Sequence, residues 1–211
     1  MQNSEYDKMK HNKLAKLYYY AIIELCEKYS PDKITVKMIS DKAGTSRQAF
    51  YNLFPDKYAL INYVCYCDMI RFPDIGLENN SNESPGLQIK KSIRDHYEKE
   101  SSLYKKSGFY KKIINMEGQN SFKEWYRELW LNYNRKAALD FYHEEGYTPM
   151  LDYIIRTYVD GLCNIFFNWI LSGCTSMSVE EIAGLHYKCI PTELMVILET
   201  KIAKRQLPQP E

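Results

Sequence analysis

Residues 34–60 read ITVKMISDKAGTSRQAFYNLFPDKYAL, and the order of capping, apolar and turn residues in this stretch decides the fold. Thr35 is placed as an N-cap, with Ile34 and Ile39 at the two positions of a hydrophobic staple around it. Val36, Ile39 and Ala43 recur at helical spacing and make one apolar face. Gly44 can take the left-handed conformation that ends such a helix. Thr45-Ser46-Arg47-Gln48 has the form of a capping box, so the next helix is expected to start at Thr45. Ala49, Phe50 and Leu53 then face inward, leaving Ser46, Arg47, Tyr51 and Asn52 outside. Pro55 stops that helix and Asp56 caps the next. The spacing predicts two short helices across a glycine turn, the second with a hydrogen-bonding outer face, which is a helix-turn-helix. Spacing alone leaves two readings open, a DNA-reading element or a plain helical hairpin.

Outward from this stretch the pattern stays helical. A helix is expected from Tyr6 to Tyr29, with Leu14, Leu17, Tyr18, Ala21, Ile22 and Leu25 as its buried stripe. The helix begun at Asp56 runs on to about Arg71 through Leu60, Ile61, Val64, Cys67 and Ile70. Residues 72–86, FPDIGLENNSNESPG, have the composition of a linker. Further helices are expected from Leu87 to Tyr97 or beyond, over 109–115, and over 121–145 ahead of Gly146. Between 151 and 171 the polar residues Asp152, Arg156, Asp160, Asn164 and Asn168 recur every fourth position, and almost everything else is apolar. So apolar a helix is buried on more than one side, in a monomer's core or also against a second subunit. Asp152–Arg156 and Arg156–Asp160 are spaced to pair along it. Ser178-Val179-Glu180-Glu181 is a full capping box stapled by Met177 and Ile182, and Pro191 must kink or break the helix it starts.

The same residues carry a resemblance. The run TVKMISDKAGTSRQAFYNLFPDKYALI at 35–61 resembles the DNA-binding segment of TetR-type transcriptional regulators, above all in Phe50-Tyr51-x-x-Phe54 and Asp56-Lys57-Tyr58-Ala59-Leu60. The segment YKKIINMEGQNSF at 110–122, with the residues after it, resembles a branch of that family that includes regulators of dihydroxyacetone kinase genes. The resemblance implies an all-α protein: an N-terminal three-helix helix-turn-helix head and a helical C-terminal effector and dimerisation body. The expected division is a head at 1–55, a connecting helix at 56–72, a linker at 73–86 and a body at 87–205. The implied partners are double-stranded DNA with a pseudo-palindromic operator, a second copy paired through the last two long helices, and a small-molecule effector or protein co-regulator. Arg47 and Gln48 are the candidates for base edges, with Ser46 and Asn52 beside them. Thr35, Lys37, Tyr51 and Lys57 are placed for phosphates, and Thr45 lies at the start of the reading helix. Tyr104, Phe109, Trp125, Trp130, Phe166 and Trp169 are candidate pocket walls, with Asn164 and Asn168 as polar contacts.

Composition narrows the alternatives. The net charge is only +1, yet residues 1–60 carry ten lysines and arginines against seven acids, the sign expected of a DNA-facing head. An ordinary solvated surface explains that asymmetry equally well. The six cysteines sit in apolar helical patterns, and Cys65-x-Cys67 does not close a structural zinc site by itself. There is no G-x-S-x-G, phosphate loop, H-E-x-x-H or dinucleotide fingerprint, and the four histidines are scattered, so no catalysis, metal or cofactor is expected. The polar first twelve residues and the lack of a long apolar run point to a cytoplasmic protein without a membrane span. The competing reading is a helical effector-binding or protein-interaction module that no longer binds DNA.

Overall fold

The structure, a computed structural model of the chain, describes residues 3–9, 11–69, 83–116 and 121–206. Among them are eleven α-helices, one short 3-10 turn (Pro31–Lys33) and no strand, so the all-α expectation holds. In chain order the helices are α1 (Asn3–Met9), α2 (Lys13–Lys28), α3 (Val36–Lys42), α4 (Arg47–Tyr51), α5 (Lys57–Met69), α6 (Pro85–Lys106), α7 (Gly108–Ile113), α8 (Phe122–Gly146), α9 (Pro149–Leu171), α10 (Val179–Cys189) and α11 (Thr192–Gln206). The expected linker and the end of the connecting helix lie largely outside the described residues. The chain groups into two units, Met1–Pro73 with Leu103–Trp125, and Asp74–Ser102 with Tyr126–Glu211. Residues 103–125, placed from sequence in the body, therefore cluster with the head.

In the first unit the helix expected from Tyr6 to Tyr29 is two helices. Asn12 interrupts it by accepting the Leu14 and Ala15 amides on Oδ1 (2.9 and 3.2 Å), which makes it the N-cap of α2. An asparagine inside an apolar periodicity offers the backbone this alternative, and here the alternative wins. The buried stripe of α2 is Ala15, Tyr18, Ala21, Ile22 and Cys26, while Leu17 is half exposed. Ile34, Ile39, Phe50, Phe54 and Leu60 are at most 1% exposed and form the core that α2, α3, α4 and α5 share.

The second unit is built around α9. Leu151, Ile155, Val159, Leu162, Phe166, Trp169 and Ile170 are its buried stripe. Of the two expected pairs along α9, Arg156–Asp152 forms (2.6 Å) and Arg156–Asp160 does not. Asp160 instead accepts Arg127 Nε of α8 at 2.5 Å, because a residue on the flank of a packed helix meets its neighbour's side chains as well as its own. Asp152 also takes a two-pronged bond from Arg135 (2.7 and 3.0 Å) and one from the Tyr147 hydroxyl (2.7 Å). The Arg135 guanidinium and then the Tyr147 hydroxyl hold the Asp152 carboxyl well below the usual range. At the C-terminal end Ser178 and Glu181 form the expected capping box, and the chain breaks at Pro191, separating α10 from α11.

Polar groups are built into this unit's interior. The Tyr158 hydroxyl and His186 Nε2 lie 2.7 Å apart, and His96 Nε2 lies 3.2 Å from the Tyr126 hydroxyl. Around them Tyr97 meets His186 and Trp169 edge-on (5.8 and 5.5 Å), and Phe166 stacks on Tyr126 at 4.9 Å. Burial pushes the His186 imidazole down to about 3, so it is neutral in the folded chain. Unfolded, it would titrate near the ordinary value of about 6.5. Its contribution to stability is therefore complete above that value and is lost as pH falls from about 6.5 towards 3, by roughly 1.4 kcal/mol per pH unit. Unfolding free energies measured from pH 7.5 to 5 should fall on acidification, and His186→Gln should flatten that fall. An unchanged slope would remove His186 as its source.

Candidate nucleic-acid interface

A five-residue helix cannot hold itself in water, since nucleation costs more than its few bonds return. α4 is held from beneath. Phe50 and Phe54 are fully buried against Tyr18 of α2, whose ring meets theirs edge-on at 5.1 and 6.3 Å. The Tyr18 hydroxyl lies 2.8 Å from Thr45 Oγ1, fastening the turn that precedes α4. In that turn Gly44 has φ +67°, and its left-handed backbone is what a side chain would resist. The Thr45 amide reaches back to the Ser40 carbonyl at 2.9 Å.

The caps differ by one residue from the sequence reading. Thr35 caps α3 as expected, accepting the Met38 amide at 3.2 Å between the buried staple residues Ile34 and Ile39. α4 is capped by Ser46, not Thr45: Ser46 Oγ accepts the Ala49 amide at 3.1 Å. Thr45 is displaced from that role because its hydroxyl is taken by Tyr18, a partner 27 residues away that no local motif reveals.

The candidate contacts differ in what leaves them available to DNA. Ser46, Arg47, Gln48, Tyr51 and Asn52 are all exposed on the outer face of α4. Gln48 Nε2 donates to Asn52 Oδ1 at 3.2 Å, so those two amides are pre-arranged as a pair. Arg47 has no hydrogen bond or ion pair to any described residue. Thr35 and Ser46 accept an amide on oxygen yet keep their own O–H available to a phosphate. Lys37 is exposed and paired with Asp41 at 2.6 Å, a surface contact worth only tenths of a kcal/mol that a phosphate can displace. Lys42 is paired with Glu24. Lys57 is placed differently. Its ammonium donates to the carbonyl oxygens of Pro31, Asp32 and Ile34 at 2.8, 3.0 and 2.9 Å, which uses all three of its protons within the chain.

The eight pocket candidates are divided between the two units. Phe109 is fully buried against Tyr110 and Trp125 packs on Phe122 in the first unit, where Tyr104 is also placed. Trp130, Phe166 and Trp169 belong to the aromatic interior of the second. Asn164 and Asn168 are exposed and bonded to each other at 3.4 Å. A groove of about 490 Å³ in the second unit is lined by other residues, among them Tyr97, Met150, Tyr153, Tyr158, His186 and Cys189. Tyr97 lies in the charged stretch RDHYEKE at 94–100, Tyr158 in an apolar helical pattern, and His186 is one of four scattered histidines, so nothing in the sequence sets them apart. Among the described residues no helix is long and apolar enough to cross a membrane.

Residues 21–64 match the family described as bacterial regulatory proteins, tetR family, and the match ends within α5. Among solved structures, the chain is similar to the dihydroxyacetone kinase operon activator DhaS, at 20% identity over 91% of this chain and 97% of that one, with a TM-score of 0.47. It is also similar to the fatty acid degradation regulator FadR from Bacillus halodurans, at 15% identity over 88% and 96%, with a TM-score of 0.50. No protein of curated function matches the chain significantly. The FadR likeness speaks for the fold alone. The capped, glycine-turned element with its exposed, polar outer face coincides with that match, so residues 21–64 form a segment of the kind found in bacterial regulatory proteins of the tetR family.

Proposed function

We propose that this chain is a DNA-binding transcriptional regulator of the TetR type that reads a pseudo-palindromic duplex as a homodimer, with one α4 per half-site in the major groove. The observation that carries this is the division of α4 into a locked inner face, Phe50, and an exposed outer face of Arg47, Gln48, Tyr51 and Asn52. Arg47 and the Gln48–Asn52 pair address base edges, and Thr35, Ser46, Lys37 and Tyr51 address phosphates. A duplex enriched by the protein from a randomised pool provides the test. Arg47→Ala should cost about 1–3 kcal/mol on that duplex and far less on random DNA. Equal losses on both would reduce Arg47 to a phosphate contact.

Dimerisation is assigned to α9 with α10 and α11. Met150 and Tyr153 are each 69% exposed on the outer side of α9, and Leu171 and Val196 are also exposed, which leaves apolar surface for a second copy. Gly161 lies on the same side, and a Cβ there meets nothing within 4 Å. A side chain at 161 therefore starts in open space and raises helix propensity, while a leucine's bulk would block close approach of another helix. Sedimentation should show a dimer for the parent chain and a shift towards monomer for Gly161→Leu. A dimer unaffected by that change would move the interface elsewhere.

A second copy on this side roofs the groove beside α9 and makes it the place for an effector. Its lining carries no Lys, Arg, Asp or Glu, and its polar groups include the Tyr158–His186 pair, so it suits an uncharged, largely apolar molecule with one hydrogen-bonding group. Control then requires that the molecule bind the DNA-competent and DNA-incompetent states with different affinity. The protein acts in the cytoplasm, on the DNA it regulates. In a thermal-shift screen of neutral apolar metabolites, a true effector raises the melting temperature and also changes affinity for the enriched duplex. If no compound does both, a protein co-regulator takes the effector's place.

A further inference from the structure

The connection from α2 to α3 is held locally by the two backbone bonds of its 3-10 turn, from the Lys33 amide to the Ser30 carbonyl (3.0 Å) and from the Ile34 amide to the Pro31 carbonyl (3.2 Å). α2 ends without a glycine cap: Tyr29 is extended (φ −121°, ψ 153°), so no left-handed turn folds back on the last carbonyls. Pro31 then brings no N–H. Two lysines from distant parts of the chain supply further donors. Lys112 of α7 donates to the carbonyl oxygens of Cys26, of Glu27 (3.1 Å) and of Tyr29 (3.4 Å). Lys57 of α5 donates to those of Pro31, Asp32 and Ile34. Six carbonyls of one nine-residue stretch, 26–34, are thus gathered by two ammonium groups. Lys112 also puts a cation at the negative end of α2.

α7 is fixed to its neighbours in other ways. Phe109 and Ile113 are fully buried. The Tyr110 hydroxyl donates to Asp68 Oδ2 of α5 at 2.5 Å, and Tyr19 of α2 donates to the other oxygen of the same carboxylate at 2.7 Å. Lys112 is therefore delivered by a rigid element that is also tied to α5.

We propose that Lys112 and Lys57 are positioning residues for DNA binding: together they clamp the α2–α3 connection and so set where α3 and α4 stand on the helix beneath them. Lys57 acts here through the carbonyls and not through a phosphate. The DNA part of the test rests on the proposed role of α4 as the reading helix, whereas the exchange part does not use DNA.

The variants are Lys112→Met and Lys57→Met, which keep the aliphatic stem, and Lys112→Arg and Lys57→Arg, which restore a donor. Backbone amide exchange on the free protein should speed up at Lys33, Ile34 and their neighbours in both Met variants and recover in the Arg variants. Affinity for the duplex enriched by the parent protein should fall by about 5–150-fold in the Met variants, the range of a typical coupling between sites. The slope of log affinity against log salt should stay that of the parent. A slope shallower by about 0.9, with exchange unchanged, would make Lys57 a phosphate ligand and overturn its part of the clamp. Unchanged exchange in Lys112→Met would overturn the other part. Should a Met variant fail to fold, its Arg counterpart decides: parent-like exchange supports the clamp, and unfolding despite the donor overturns it. If no duplex is enriched, the DNA reading fails while the exchange result still decides the clamp.

Discussion

Everything at the proposed reading surface depends on the packing of Tyr18 against Phe50 and Phe54. α4 is too short to be a helix by propensity, and its outer residues are chosen for what they can touch, not for how they fold. Stability has to come from below, and one buried tyrosine supplies both the apolar contact and a hydroxyl that fastens Thr45. Removing the ring would leave two large phenylalanines facing a void, a loss of the kind that costs about 3–5 kcal/mol in well-packed cores. The glycine turn, the Ser46 cap and the placement of Arg47 all depend on that contact.

The head is legible in the sequence because its determinants are local. Thr35 with Ile34 and Ile39, Gly44 at the turn, and Phe50 and Phe54 on the inner face all act within a few residues of one another. Where local signals compete, the reading slips by one position or misses a break. Thr45 and Ser46 are equally good caps, and only the distant Tyr18 decides between them. Asn12 lies within an apolar periodicity and ends a helix there.

The body is legible as helices and not as a site. Apolar period marks α9 as a central helix, but which side of a fully apolar helix is outside depends on its neighbours. Asp160 pairs with Arg127 across to α8 where the helical spacing offers Arg156. Trp130, Phe166 and Trp169 carry their bulk into the interior, while the groove takes its walls from residues such as Tyr97, Tyr158 and His186, which no spacing brings together. Lys57 and Lys112 show the same limit from the other side. A lysine reads as a surface charge in any sequence, and only the placement of carbonyls from a distant stretch turns it into a structural donor.

The separation of the two faces of α4 has an evolutionary consequence. Arg47, Gln48, Tyr51 and Asn52 have their backbone fixed by Ser46 and their helix fixed by Phe50, and their side chains fill no cavity in the core. Substitutions there are nearly neutral for stability, since exposed positions away from caps and cavities shift it by about 0.5 kcal/mol or less. With α4 as the proposed reading helix, operator preference can drift one residue at a time while the scaffold stays intact. On the proposed reading, duplicated copies of such a gene have a short mutational path to new target sites, because the residues proposed to choose the DNA are not the residues that make the protein fold.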